Sequence, residues 1–221
     1  MIQIVNYLGQ EIKFEVTNPE DHLQKYWLAG HFYEEGMLQF IQKFRKYKLQ
    51  PVIVDVGACI GNHTIFFAKV MGAYVYAFEP DNDNYDLLLK NALLNRVESS
   101  VLLIKRGAGA HMGIARFKKD ITGNCGMGKI SPDGCDTIRV TYIDCIISNS
   151  HRVDVLKIDV EGYNIPVLEG ARYTINHDHP EIYIECQTPE ELKEVEDFLN
   201  PIGYTRWPHP FNATPTWLFY H

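Results

Sequence analysis

Pro51-Val-Ile-Val-Asp-Val-Gly-Ala-Cys-Ile-Gly-Asn-His-Thr-Ile-Phe-Phe-Ala68 is the stretch on which the reading of this chain turns. Val52 to Val56 is an apolar, β-branched run broken only by Asp55, the composition of a parallel strand buried on both faces. Gly57 and Gly61 punctuate it. Thr64 to Val70 has helical composition, so the glycines fall in a strand-to-helix turn. Such a turn aims backbone N–H groups and a helix N-terminus at whatever lies above the strand. Its spacing, Asp-x-Gly-x-x-x-Gly, is neither the Gly-x-Gly-x-x-Gly of dinucleotide sites nor a phosphate loop ending in Gly-Lys-Ser/Thr. Glycine lets the backbone approach a ligand closely. Asp55, at the carboxyl end of the strand, sets a negative charge there that suits a cationic ligand group.

The next strand, Tyr74 to Phe78, runs into Glu79-Pro80-Asp81. An acid about 20 residues beyond the glycine turn, at the tip of the following strand, is where a ribose diol is usually held. Val54-Asp-Val-Gly-Ala-Cys-Ile-Gly61 with Phe78-Glu-Pro-Asp81 resembles the S-adenosylmethionine site of class I methyltransferases. Leu156-Lys-Ile-Asp-Val-Glu-Gly162 and Val167-Leu-Glu-Gly-Ala171 are similar to the signature of the FkbM family of O-methyltransferases, and the likeness runs from about Gly30 to the C-terminus. The resemblance implies a Rossmann-like α/β fold: a seven-stranded, mostly parallel sheet, antiparallel in its last strand, with helices on both faces. It implies O-methylation of a sugar, glycan or polyketide-type hydroxyl. It also implies a cofactor site drawn from Glu34, Asp55, Gly57, Ala58, Gly61, Asn62, Glu79, Pro80, Asn84, Ala108 and Asp159, with Glu34 near the methionine end and Ala108 beside adenine.

Outward from this centre, Met1 to Val16 alternates as a short hairpin, and Tyr26 to Phe44 has helical spacing, giving one or two helices over the cofactor side of the sheet. Residues 1–50 are thus a cover and 51–221 the cofactor-binding core of one globular domain. Asn82 to Asn95 is a helix with Tyr85, Leu88, Leu89, Ala92 and Leu93 on one face. Val101 to Lys105 is a strand. Gly113 to Lys118 and Thr137 to Thr141 alternate as an antiparallel pair, and the glycine-rich segment 122–134 between them is a candidate lid or acceptor loop. Its Asn124 reads either as a ligand contact or as a turn asparagine. Val153 to Ile158 is a strand ending at Asp159, with Glu161 and Gly162 opening the next helix. Glu181 to Glu185 is another strand, Pro189 to Leu199 a helix capped by Thr188, and 203–207 with 216–220 a final antiparallel pair.

Ligands of open α/β sheets bind at the carboxyl ends of the strands. Asp55, Glu79, Asp159 and Glu185 gather there, and a sulfonium, an amino group and a ribose diol account for them together. Methyl transfer to an alcohol needs a base within hydrogen-bond reach. Asp159 and Glu161 are the first candidates, then Glu185 and His63. Asp159, Glu161 and Glu185 could instead gather Mg²⁺, whose oxygen preference they match and which would lower the pKa of a diol. No metal-ligating set is assigned: Cys125, Cys135 and Cys145 fall in different elements, and His177-Asp-His179 sits in a loop. Tyr33, Trp27 and Trp207 are aromatics that could stack on a sugar face.

At 221 residues the chain can bury a sizeable core in one domain. A formal charge of -7 disfavours a nucleic-acid partner, the one basic run being Lys43 to Lys48. No stretch of about 18 apolar residues predicts a membrane span. An odd cysteine count without Cys-x-x-Cys, and no signal-peptide pattern at Met1, predict free thiols in the cytoplasm. A nicotinamide-dependent oxidoreductase is the rival enzyme class, against the glycine spacing. A non-catalytic partner module is the rival without chemistry. The acceptor and the oligomeric state are not legible.

Overall fold

From residue 52 onward, apolar runs of four or five residues alternate with helical segments, the pattern that builds a parallel sheet with helices on both faces. The structure, a computed structural model, describes residues 1–44, 49–120, 124–147 and 151–221. Residues 45–48 of the basic run and 122–123 of the glycine-rich segment lie outside the described residues. The chain begins with a hairpin of β1 (Ile2–Tyr7) and β2 (Gln10–Glu15). Leu8 and Gly9 both have positive φ, the two-residue turn whose twist matches its flanking strands. Helices α1 (His22–Leu28, capped by Asp21) and α2 (Glu35–Phe44) follow. Then come β3 (Val52–Val56), α3 (Asn62–Ile65), β4 (Tyr74–Phe78), α4 (Asn82–Asn95) and β5 (Val101–Ile104). An insert carries β6 (Gly107–Ala108), β7 (Gly113–Lys118), β8 (Lys129–Ile130) and β9 (Asp136–Thr141). The chain ends through α5 (Ile143–Ile146), β10 (Val155–Ile158), α6 (Asn164–Gly170), α7 (Arg172–Asp178), β11 (Glu181–Glu185), α8 (Pro189–Leu199), β12 (Thr205–Arg206) and β13 (Thr216–Tyr220).

The main sheet has seven strands in the order β12-β13-β11-β10-β3-β4-β5. Pairs from β5 to β11 are parallel and β13 is antiparallel to β11, as the sequence predicts. The chain leaves β3 toward β4 and β5, then returns to place β10 on the other side of β3. The order therefore reverses between β3 and β10, which opens the crevice where such sheets hold ligands. The pleat sends alternate residues to opposite faces. Ile53, Val75, Val155 and Tyr183 pack under the hairpin, α1, α2 and α4. Val54, Phe78, Leu156, Ile158 and Ile184 pack with residues of α5, α6, α7 and α8. The insert forms its own four-stranded sheet, β6-β9-β7-β8, in which β7 and β9 are the expected antiparallel pair.

Three local expectations are corrected. The helix after the glycine turn is α only over Asn62–Ile65 and continues as a π turn over Phe66–Val70. Glu161 and Gly162 precede α6 in a turn with positive φ at both, rather than opening the helix. The buried face of α4 is Leu87, Leu88, Asn91, Ala92 and Asn95, while Leu89 and Leu93 are exposed. Apolar content placed the face wrongly because two asparagines do the docking. Asn91 accepts from Glu15 N (2.8 Å) and donates to Ile60 O (2.8 Å). Asn95 accepts from Lys13 N (2.9 Å) and donates to Lys13 O (2.7 Å). These amides satisfy the free edge of β2 as a neighbouring strand would. Asn91→Ala leaves buried backbone groups unpaired and is expected to lower unfolding free energy by about 1–3 kcal/mol in denaturant titration. Leu89→Ala, on the exposed face, is expected to cost less than about 0.5 kcal/mol.

Candidate active site

A cleft, partly open to solvent, lies across the carboxyl ends of β4, β3, β10 and β11. Gly57, Ala58, Asn62, His63, Glu79, Pro80, Asn84, Ala108, Asp159, Glu161 and Glu185 all line it. Among the residues the sequence proposes, Glu34, Asp55 and Gly61 do not.

Asp55 does not offer a free charge. It is fully buried beneath the cleft, where its Oδ2 accepts from Thr64 Oγ1 (2.6 Å) and its Oδ1 lies 3.1 Å from Lys157 Nζ. Register explains the pair: Lys157 stands opposite Asp55 across β10 and β3, so both side chains leave the same face. Lys157 also donates to Gly57 O (2.9 Å) and approaches Asp159 Oδ2 (3.6 Å). Burial alone pulls the pKa of Lys157 down, but Asp55 and then Asp159 outweigh it and hold the ammonium above its ordinary range. The sequence reading missed Lys157. Its signal was a lysine inside the otherwise apolar run Val155 to Ile158.

The glycines also serve the fold before any ligand. A Cβ on Gly57 would sit 1.8 Å from the Asp159 carbonyl oxygen, and one on Gly61 would sit 2.7 Å from Leu88 Cδ1. Both residues have positive φ. Their absence of side chains lets β10 close on the turn and lets α4 pack against α3. Asn62, at the start of α3, accepts from Trp27 Nε1 (2.9 Å) and Tyr33 N (3.1 Å) and donates to Tyr33 O (2.9 Å). It thus fastens α1 and the segment between α1 and α2 to the turn. Trp27 is fully buried, stacked on Phe14, and Trp207 packs against Phe40; of the three aromatics only Tyr33 lines the cleft.

At the tip of β4, Glu79 accepts from Asp81 N (2.7 Å) through Oε1 and from Cys59 N (2.8 Å) through Oε2. Burial pushes its pKa up to about 8, against the pull of those two N–H groups. Asp81 caps α4 and lies 2.8 Å from Lys119 Nζ of the insert. Asn84 donates to Cys125 O (2.8 Å). Asn124 caps the short turn Cys125–Met127 by accepting from Gly126 N, so it is a turn asparagine that also lines the cleft.

At the other end, oxygens of Asp159, Glu161 and Glu185 lie within 4.8 Å of one another. Glu185 is pushed up to about 9 by burial and by Asp159, and Glu161 is raised by burial and by Asp159. Gln187 donates to Glu161 Oε2 (2.6 Å). Burial, then Glu34, Asp159 and Glu185, push the Tyr33 hydroxyl far up, so it stays a donor. His63 is buried with its Nε2 3.2 Å from Glu34 Oε2. Away from the cleft, His177 pairs with Asp178 and His179 stacks on His221. Charge is therefore matched at the β3 turn and left crowded at the tips of β10 and β11.

A family model described as the methyltransferase FkbM domain matches residues 55–205. The hexuronic acid methyltransferase AglP of Haloferax volcanii is 31% identical, with 89% of this chain and 79% of that protein covered. Methyltransferase sdnD of Sordaria araneosa is 26% identical, with 80% and 82% covered. Among solved structures, a methyltransferase FkbM from Methylobacillus flagellatus KT superposes with a TM-score of 0.63 at 23% identity, over 82% of this chain and 46% of that one. This chain thus spans less than half of that structure, and the likeness shows the fold: the Rossmann-like arrangement of class I methyltransferases.

Glu79 gives a pH signature. Its folded pKa of about 8 exceeds its ordinary 4.5, so between those values the folded state binds more protons than the unfolded chain. Its contribution is complete below about pH 4.5 and is lost as pH rises through about 8. Unfolding free energy of the ligand-free protein is expected to fall across that window, by up to about 1.4 kcal/mol per pH unit for this proton. Denaturant titrations in a pH series are expected to show a shallower slope for Glu79→Gln.

Proposed function

The chain belongs to the FkbM methyltransferase family, and from that premise we propose that it transfers a methyl group from S-adenosylmethionine to a hydroxyl of a sugar or glycan. The observation that carries this reading is the crowding of Asp159, Glu161 and Glu185 beside the glycine turn, two and three strands from Glu79. Strands lie about 4.8 Å apart, so Glu79 and Asp159 are separated by roughly 10 Å, the span of a nucleoside. The relative that acts on a hexuronic acid supports a sugar acceptor, and the free cysteines fit a reducing compartment.

S-adenosylmethionine supplies its methyl group as a sulfonium, so the attacking acceptor oxygen displaces a neutral thioether. The chain's own part is to hold, align and deprotonate. Glu79 accepts the ribose hydroxyls, in place of the proton that burial favours on it. Ala58 and Ala108 leave space for the adenine. Asp159 takes the hydroxyl proton, with Lys157 at 3.6 Å compensating its charge. Glu185, protonated near neutral pH, donates to the acceptor side. Tyr33 and Gln187 add donors to a polyhydroxylated ring. In a second reading, favoured by three oxygen ligands within 4.8 Å, Asp159, Glu161 and Glu185 would hold Mg²⁺ and the metal would supply the activation.

The test is transfer of labelled methyl from S-adenosylmethionine to a panel of uronic acids and neutral sugars. Asp159→Asn is expected to lower turnover on the accepted sugar by about 10²–10⁴ with cofactor affinity nearly intact. Wild-type turnover in that variant would refute the assignment. Inhibition by EDTA that Mg²⁺ restores would select the second reading, and indifference to EDTA the first.

A further inference from the structure

Cys59 and Cys125 come from opposite walls of the cleft and meet inside it. Cys59 belongs to the glycine turn, where it has positive φ and its N–H holds Glu79. Cys125 opens the short turn of the insert that roofs the cleft. They are 66 residues apart in the chain, yet their sulfurs are 3.2 Å apart. Both are free thiols and both are partly exposed, so a small oxidant in the cleft reaches them. The backbone around Cys125 is already fixed on either side of the sulfur: its N–H donates to Asp21 Oδ2 (2.9 Å) and its carbonyl accepts from Asn84 (2.8 Å).

We propose that Cys59 and Cys125 form a reversible disulfide that ties the roof of the cleft to the cofactor turn and so gates cofactor exchange. The gate rests on reading this cleft as the cofactor site. Closing the bond needs a peroxide. One of the two sulfurs takes an oxygen from it, becoming a sulfenic acid and releasing one water. The other sulfur then displaces the hydroxyl as a second water, leaving the sulfur–sulfur bond. Two thiols are oxidised and one peroxide is reduced to two waters. Either sulfur can be oxidised first, because the two are in contact and the product is the same bond. A dithiol reductant reverses the bond by exchange. The hydrogen bonds that hold the roof are reversible, whereas a covalent link does not open.

The experiment uses the Cys135→Ser/Cys145→Ser protein, which lacks the two exposed thiols outside the cleft. It is treated with hydrogen peroxide, digested without reduction and mapped by mass. The expected product is a peptide pair linked through Cys59 and Cys125 that dithiothreitol separates. The association rate of S-adenosylhomocysteine with the oxidised, empty protein is expected to fall roughly tenfold or more and to recover on reduction. Adding Cys125→Ser is expected to abolish both the linked pair and the oxidant's effect. Absence of the linked pair overturns the disulfide, and a linked protein with an unchanged association rate overturns the gate. A reduced protein that fails to bind S-adenosylhomocysteine overturns the proposed function and the gate with it, while the peptide map still decides the disulfide.

Discussion

The buried pair of Lys157 and Asp55 is the interaction on which the rest of the site depends. Taking two charges out of water is costly, and the cost is recovered only with close contact and further hydrogen bonds. Here both conditions hold: the groups are 3.1 Å apart, Thr64 satisfies one carboxylate oxygen, and Gly57 O takes another ammonium proton. The pair joins β3 to β10 at the point where the strand order reverses. It fixes the peptide after Asp55, and with it the glycine turn. It also sets a positive charge under Asp159. Geometry at the cleft is therefore inherited from a contact beneath it.

Above that foundation the cleft is uneven. On the β4 side most polar groups have partners: Glu79 has two backbone donors, Asp81 has a cap and a lysine, and Asn84 has a carbonyl. On the β10 and β11 side three carboxylates stand together, Gln187 donating to Glu161 and Lys157 lying 3.6 Å from Asp159, and burial and mutual repulsion raise two of them. Matched groups make a rigid seat, whereas crowded ones wait for donors. In the proposed reaction that difference separates a cofactor that must be held from an acceptor that must be deprotonated.

Much of this was legible in the sequence, for physical reasons. Parallel strands buried on both faces read as continuous apolar runs, so the sequence marks Val52–Val56 and Tyr74–Phe78 at their observed ends. Acids at strand tips were legible because strand ends fix position along the chain. What needs a partner distant in sequence was not. Lys157 acquires its meaning only from the register that sets it opposite Asp55. Asn91 and Asn95 face inward because β2 has an edge to satisfy, which no helical periodicity records. Gly57 is required by the Asp159 carbonyl rather than by a ligand alone. The contact of Cys59 with Cys125 depends on an insert whose path over the sheet is set by its own small sheet.

The most direct test of the central claim is a double-mutant cycle on Lys157 and Asp55, read by denaturant unfolding. Lys157→Met strands a buried carboxylate and Asp55→Leu strands a buried ammonium, so each alone is expected to cost about 3–5 kcal/mol. The double variant replaces the pair by apolar groups and is expected to recover about 2 kcal/mol or more of the summed loss. Additivity within about 0.5 kcal/mol would contradict the account, because the two groups would then be acting independently of each other.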